Sequence, residues 1–194
     1  MNLKDRFDLV IFDWAGTMVD FGSEAPVKAL IEAFGAEGVP IDAVTARRDM
    51  GKAKDSSTGY TREMMEPVLA RAASQGYVPE HLVCSGETPA GRPSPLMIYK
   101  ACAELGIWPL SRVVKVDDAE AGIAEGKAAG AFTVGVASGN ALGLSLDALQ
   151  ALPPSQRDSR VAAARQALLG AGADLVIDSV ADPRARARNL TSSL

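Results

Sequence analysis

The sequence contains few of the residues on which disulfides, zinc sites and histidine catalysis depend. Its 194 residues include two cysteines, Cys84 and Cys102, and one histidine, His81. Two cysteines are too few for a disulfide framework, so we expect two buried thiols. One histidine leaves little room for a Ser-His-Asp triad or a histidine-rich zinc site. The chemistry of this chain is therefore expected to depend on other side chains.

Long apolar runs and an excess of positive charge are also missing. No apolar stretch approaches the ~18 residues of a spanning helix, and charged residues lie where a signal peptide needs its apolar segment. The net charge of -4 and the isoelectric point near 5.1 argue against a broad nucleic-acid or anionic-membrane surface. We expect a cytoplasmic protein with neither nucleic acid nor membrane as a partner.

The apolar residues that are present predict one α/β core. The chain is 47% hydrophobic and 23% charged, and its length suits a single full core. Alternating strands and helices from Leu82 onward favour a parallel sheet with crossover helices. The predicted strands are Leu9 to Phe12, Leu82 to Cys84, Val113 to Val116, Phe132 to Val136 and Leu175 to Ile177. The predicted helices are Glu24 to Glu37, Asp42 to Asp49, Tyr60 to Gln75, Ser94 to Leu105, Ala119 to Ala129 and Gln156 to Leu169.

The first apolar run ends abruptly in an acid, Asp13, followed by Gly16 and Thr17. An acid at the carboxyl end of a buried parallel strand lies where open α/β sheets bind their ligands. The alternative is that Asp13 only caps a helix or begins a turn.

Other polar residues fall at element ends that a parallel sheet would bring to the same edge. Thr58 precedes a helix, Arg92 lies in a proline-rich loop, and Asp117 and Asp118 end a later strand. Each has a structural interpretation, as a helix cap, a surface cation or an acid pair at a helix N-terminus. Together, and in this order, they favour a functional site.

These residue types are the ones that phosphoryl transfer to an aspartate requires. Asp13 would attack phosphorus, and Thr58 and Arg92 would hold the non-transferred oxygens. Mg²⁺ held by Asp13 and Asp118 would neutralise charge in the transition state.

Four strings carry a resemblance to a known family: D-W-A-G-T-M-V-D-F-G from Asp13, T-G-Y-T-R-E-M-M from Thr58, A-G-R-P-S-P from Ala90 and V-K-V-D-D-A-E-A-G-I from Val114. From Phe7 to about Asp182, the chain resembles the haloacid dehalogenase superfamily and, more narrowly, the phosphonoacetaldehyde hydrolases (phosphonatases). The resemblance implies a Rossmann-like parallel sheet with helices on both faces, a helical cap domain and a homodimer with cap contacts.

Ala15, two positions after the expected nucleophile Asp13, bears on which leaving groups the site can accept. Most phosphatases of this superfamily carry a second Asp there, which protonates the leaving group, and alanine cannot do so. Phosphonatases instead use a lysine Schiff base, and the M-G-x-x-K string places that lysine at Lys54. The alternative is that Lys52 and Lys54 are solvated loop charges. An imine needs a neutral amine, so Lys54 would need a lowered pKa.

The metal site implied by the resemblance consists of Asp13, the backbone carbonyl of Ala15 and Asp118. Many relatives have a G-D-x-x-x-D string, whereas this chain has two adjacent acids and then Gly122. Asp117 or Glu120 is therefore expected to supply further contacts to the metal or its water.

The chain departs from the family pattern just before Thr58. Lys54 is followed almost at once by Thr58, so most of the cap and the core strand that should carry Thr58 are absent. We expect a core formed by residues 1–22 and 56–182, a cap remnant at 23–55 and a frayed tail at 183–194. The loss would expose the edge of the Asp13 strand and remove a lid from the site.

The resulting functional hypothesis is hydrolysis of the carbon–phosphorus bond of phosphonoacetaldehyde to acetaldehyde and phosphate. Two alternatives are an internally deleted, catalytically impaired relative, and another hydrolase of the same superfamily, such as a dehalogenase. The missing strand motivates the first alternative, and the missing acid at Ala15 permits the second.

Overall fold

A computed structural model describes residues 6–21, 24–49 and 60–181. Its centre is a parallel sheet of four strands in the order β1-β2-β3-β4. These strands are β1 Leu9–Phe12, β2 Val113–Asp117, β3 Phe132–Val136 and β4 Leu175–Ile177. The predicted parallel α/β fold is therefore confirmed, and four of the five predicted strands are present.

Seven α-helices lie in the described ranges: α1 Glu24–Ala36, α2 Ala43–Asp49, α3 Arg62–Ser74, α4 Leu96–Leu105, α5 Glu120–Ala129, α6 Leu146–Ala151 and α7 Pro154–Gly170. All six predicted helices are present within a few residues of their expected bounds. The sequence interpretation missed α6, although Ser145 caps it by accepting a hydrogen bond from the amide of Ala148 at 3.1 Å. Among the helices of these ranges, none combines the length and apolar character needed to cross a bilayer.

The sheet has an apolar cluster on each of its two faces. Because side chains alternate along a strand, Val113 of β2 faces α4, where it packs with Ile98 and Cys102. Val114 and Val116 face the opposite way and pack with Val134 and Val136 of β3. A third cluster joins Ile123, Leu168 and Val176, which come from α5, α7 and β4. As predicted, Cys84 and Cys102 are buried free thiols.

The strand β1 lies at the edge of the sheet formed by the described residues. Within the described residues it pairs with β2 alone, and Phe12 stands opposite Val116. Val10 and Phe12 are 46% and 37% exposed, whereas every residue of β2 is buried. The sequence predicted an open edge beside Asp13, and no strand of residues 6–21, 24–49 and 60–181 pairs with this side of β1.

The prediction of a strand at Leu82 to Cys84 is wrong. The segment is irregular, and backbone groups in it and just after it bond to residues at and just before the start of α3. The carbonyl of Leu82 accepts a hydrogen bond from Arg62 at 3.1 Å, and the amide of Ser85 donates to the carbonyl of Tyr60 at 3.0 Å. An apolar run becomes a strand only where a neighbouring edge accepts its hydrogen bonds.

The carboxylate of Asp174 fastens β3 to the turn before β4. It accepts hydrogen bonds from the amide and hydroxyl of Thr133 at 2.8 and 2.9 Å, and from Lys127 at 2.8 Å. Burial alone would raise the pKa of Asp174, but these contacts hold it below the ordinary value of 3.8. The ionised form is therefore favoured in the folded state.

We expect Asp174→Asn to lower the free energy of unfolding by about 1–3 kcal/mol at pH 7, because one charged acceptor is lost. The pKa is lower in the folded than in the unfolded chain. The contribution of the ionised group is therefore full above the unfolded pKa and disappears as pH falls through the folded pKa. Urea unfolding at pH 7, 5 and 3 should show a shrinking difference from the wild type. Asp158→Asn, on the exposed surface of α7, is the control, and a constant difference across this range would contradict the assignment.

Candidate active site

Three carboxylates meet at the carboxyl edge of the sheet. Asp13 follows β1, Asp117 ends β2 and Asp118 comes next, and one oxygen from each lies within 4.8 Å of the others. The amide of Asp13 donates to the carbonyl of Val116 at 2.9 Å, which fixes the two strand ends side by side. The sequence expected this convergence, because parallel strands end at a common edge.

Arg92 joins two of these acids. Its Nη1 lies 2.9 Å from Asp13 Oδ1 and 3.3 Å from Asp117 Oδ2, with little of any of the three side chains exposed. The loop before α4 thus brings Arg92 to Asp13, as the sequence interpretation supposed. The fixed charge of a guanidinium here can hold an oxyanion bound next to Asp13.

The ionisation of the site is dominated by burial and by neighbouring charges. Burial and the nearby Asp117 raise the pKa of Asp13, and Arg92 and Lys115 only partly offset them. Burial also acts to raise the pKa of Asp117, but Lys115 and Arg92 outweigh it, so this pKa lies below the ordinary value. Asp117 is thus the carboxylate that the two cations hold ionised, and Asp13 is the less stabilised anion.

Asp118 is held by residues that the sequence interpretation did not single out. Thr17 Oγ1 donates to its Oδ1 at 3.3 Å, and the amide of Asn140 donates to its Oδ2 at 2.5 Å. Gly139 makes this approach possible, since a Cβ there would lie 2.1 Å from Asp118 Oδ2. The S-G-N string after β3 is visible in the sequence. Its contact with Asp118 is not, because Asp118 lies about twenty residues earlier.

Gly122 leaves the space that the carboxylate of Asp117 fills. A Cβ at this position of α5 would lie 1.9 Å from Asp117 Oδ2 and 2.0 Å from its Cγ. Asp117 and Gly122 therefore complement each other. At this point of the site the carboxylate comes from Asp117 at the end of β2, and Gly122 of α5 leaves the space for it. Glu120, the other candidate for metal contacts, is exposed at the start of α5.

Two further predicted site residues, Lys54 and Thr58, lie outside the described residues. Ala15 lies in the loop directly after Asp13 and forms an isolated parallel bridge with Val19. Next to it, the ring of Trp14 contacts Tyr77 edge-on at 5.7 Å. The side chain of Ala15 brings no acid to this loop.

A cavity of about 880 Å³ extends from the site along the open edge of β1. Asp13, Arg92 and Lys115 lie at its polar end, and Val10 and Val83 are among its apolar lining residues. Among the described residues, the unpaired side of β1 thus lies next to the acidic edge of the sheet.

The donor set fits a hard divalent cation. Asp13, Asp117 and Asp118 offer only oxygen atoms, and no described histidine or cysteine belongs to the group. Carboxylate oxygens are the ligands that Mg²⁺ prefers. Together with Glu125, these three carboxylates make four nearby acids against the two cations Arg92 and Lys115, so the site favours added positive charge.

Comparison with known proteins agrees with this fold. The haloacid dehalogenase-like hydrolase family matches residues 38–130. A phosphonoacetaldehyde hydrolase of Paraburkholderia xenovorans is 38% identical, with 89% of this chain and 91% of the relative covered. One from Syntrophobacter fumaroxidans is 34% identical, with 88% and 87% covered. The crystal structure of a phosphonoacetaldehyde hydrolase-like protein from Oleispira antarctica matches with a TM-score of 0.85 at 32% identity, covering 91% of this chain and 90% of that one.

The fold and the acidic edge define a haloacid dehalogenase-like hydrolase. The identity and coverage of the relatives identify the family within this class. The chain belongs to the phosphonoacetaldehyde hydrolase family. The match to the Paraburkholderia xenovorans relative spans 243 positions, whereas 89% of 194 residues is about 173, so about 70 positions have no counterpart here. An internal deletion of this size agrees with the missing cap segment predicted from the sequence.

Proposed function

We propose that this chain hydrolyses the carbon–phosphorus bond of phosphonoacetaldehyde to acetaldehyde and phosphate. The observation that carries the proposal is the placement of Arg92 against Asp13, beside two more carboxylates and with alanine two positions after Asp13. That arrangement suits attack on a phosphoryl group whose leaving group needs no proton from the position of Ala15.

Asp13 is the nucleophile in this proposal. Its carboxylate oxygen forms a bond to phosphorus while the carbon–phosphorus bond breaks, which gives an aspartyl-phosphate. The electron pair of the broken bond needs a sink, and a protonated imine between Lys54 and the substrate aldehyde supplies one by becoming an enamine. Protonation at carbon and hydrolysis of the imine release acetaldehyde, and water releases phosphate from Asp13.

Arg92 and the acids bind and orient the phosphoryl group. Arg92 is 2.9 Å from the nucleophile, so it can hold non-transferred oxygens while Asp13 attacks, and Thr58 is proposed to assist it. Asp13, Asp118 and the backbone carbonyl of Ala15 would hold Mg²⁺, which supplies charge neutralisation when bound. Thr17 and the amide of Asn140 keep the Asp118 carboxylate oriented for this task.

Trapping of the imine tests the proposal directly. With phosphonoacetaldehyde present, borohydride should reduce the imine and leave a covalent adduct that peptide mass spectrometry locates on Lys54. Lys54→Ala should abolish the adduct, and Lys52→Ala, two residues away on the same string, should retain it. Absence of an adduct on Lys54 in a cooperatively folded protein would contradict the Schiff-base mechanism.

A second candidate is a family member whose deletion has removed its activity. The cavity along β1 favours this candidate, because it leaves the nucleophile strand uncovered beside the site. The two candidates differ in phosphate release from phosphonoacetaldehyde in the presence of Mg²⁺. Release above the level of an Asp13→Asn variant, together with cooperative thermal unfolding, would rule out the inactive form.

A further inference from the structure

Two buried charged side chains behind the acids have no role in the proposed reaction. Lys115 lies in the middle of β2 and is 5% exposed, and Glu125 lies on α5 and is 1% exposed. Lys115 Nζ is 3.5 Å from Glu125 Oε2. Burial of an ion pair is costly relative to apolar side chains of the same size. Their presence at this point therefore needs an explanation beyond stability.

Lys115 shares one carboxylate oxygen with Arg92. Its Nζ lies 3.0 Å from Asp117 Oδ2, and the same oxygen is 3.3 Å from Arg92 Nη1. Arg92 Nη1 in turn lies 2.9 Å from Asp13 Oδ1. A continuous chain of contacts thus runs from Glu125 through Lys115, Asp117 and Arg92 to the nucleophile.

The packing holds Lys115 in this position. A Cβ on Gly126 would lie 3.0 Å from both Cβ and Cγ of Lys115, so the backbone of α5 packs directly on the stem of this lysine. The other oxygen of Asp117 accepts a hydrogen bond from the amide of Ala119 at 3.0 Å, which fixes the carboxylate between β2 and α5. Burial acts to lower the pKa of Lys115, but Asp117 and Glu125 outweigh it, so the lysine stays charged.

We propose that Lys115, held by Glu125, is a positioning residue that keeps Arg92 directed at Asp13. Asp117 attracts Arg92, and at a buried site this attraction is strong. Lys115 contacts the same oxygen of Asp117 that Arg92 contacts, and so neutralises part of the Asp117 charge. Arg92 is then left against Asp13, where, on the proposed function, the phosphoryl group is bound.

Removal of Lys115 should therefore move Arg92. With Lys115→Met, Asp117 would have Arg92 as its one remaining cation among the described neighbours, and a bidentate pair with Asp117 becomes the favoured arrangement. Glu125→Gln should have the same effect to a smaller degree, because it only loosens the hold on Lys115. Asp13 would keep its position on β1 in both variants.

The experiment compares Lys115→Met with Lys100→Met, which removes a lysine of a surface ion pair on α4. Crystal structures without ligand give the Arg92 to Asp13 distance, and calorimetry gives the dissociation constants of Mg²⁺ and of inorganic phosphate at saturating Mg²⁺. For Lys115→Met we expect Arg92 to leave hydrogen-bonding range of Asp13, and phosphate to bind about tenfold or more weakly. Lys100→Met should match the wild type in both measurements.

Arg92 remaining on Asp13 in Lys115→Met, with phosphate affinity within about twofold of the wild type, would overturn the proposal. If that variant does not fold, Lys115→Met/Glu125→Gln removes both buried charges together, and the same two readouts decide. The position of Arg92 is measured without substrate. Failure of the imine trapping on Lys54 would therefore count against the proposed function alone.

Discussion

Replacing Asp13 by asparagine is expected to lower phosphate release from phosphonoacetaldehyde by roughly 10⁴-fold or more, because the amide cannot attack phosphorus. The loss should appear in kcat, and single-turnover experiments should show no phosphate bound to the protein. Asp147→Asn, which removes an exposed acid in the first turn of α6, should leave the rate unchanged.

The Asp13→Asn variant should remain as stable as the wild type in the absence of divalent cations. The pKa of Asp13 lies above its ordinary value because burial and Asp117 disfavour the anion. At neutral pH the charge of this group therefore opposes folding, and a neutral amide relieves it. Thermal stability of Asp13→Asn equal to or higher than that of the wild type would show that a loss of activity reflects a chemical role of Asp13 and not a structural one. Residual turnover near the wild-type rate would show that Asp13 is not the nucleophile.

The second large effect is expected at Gly122. A methyl group there would lie 1.9–2.3 Å from the carboxylate of Asp117, so Gly122→Ala must displace either α5 or a buried charged group. We expect a loss of about 3 kcal/mol or more in the free energy of unfolding, at or above the upper end of overpacking effects. Denaturant unfolding monitored by circular dichroism measures it.

Gly35→Ala is the matched control, because Gly35 also lies within a helix and a Cβ there meets nothing within 4 Å. It should stabilise the protein by about 0.5–1 kcal/mol, as alanine usually does in a helix. A similar gain in Gly122→Ala would show that Asp117 moves away at no cost, which contradicts the close packing described here.

A paired substitution tests whether Asp117 and Gly122 form one arrangement. Asp117→Gly/Gly122→Asp moves the carboxylate from β2 to α5 and recreates the G-D-x-x-x-D string of many relatives. We expect the pair to recover most of the stability that Gly122→Asp alone loses, because the new carboxylate enters the space that Asp117 leaves. Simple additivity of the two single effects would show that the positions are independent.

The acidic edge of the sheet could be predicted from the sequence because its signals are local. An apolar run that ends in an acid marks β1 and Asp13, and a similar run marks β2, Asp117 and Asp118. Parallel packing then brings these ends together without further information. Arg92 was recognised through its A-G-R-P-S-P string, and the distance to Asp13 required the structure.

The errors and omissions arose where a residue depends on distant neighbours. The run from Leu82 to Cys84 has the composition of a strand, but backbone groups in it and just after it bond to Tyr60 and Arg62, around the start of α3, and not to a sheet. Thr17 and Asp118 are hydrogen-bonded although they are 101 residues apart in sequence, and no local sequence pattern predicts that pair. The sequence analysis gave Lys115 no role, because the charge of this lysine is balanced partly by Glu125, which lies on another element.

The edge position of β1 links the proposed reaction to the equilibrium between β1 paired with the sheet and β1 separated from it. In the part of the chain that the structure describes, β1 is bonded to one neighbouring strand and β2 to two, so we expect β1 to separate from the sheet more readily. Asp13 would leave the other acids whenever β1 separates, so on the proposed function the observed rate should equal the intrinsic rate multiplied by the fraction of molecules with β1 in place. Amide hydrogens of β1 should therefore exchange with solvent faster than those of β2, and any ligand that bridges Asp13 and Asp118 should slow that exchange. On the proposed function, substrate binding would thereby stabilise the strand that positions Asp13.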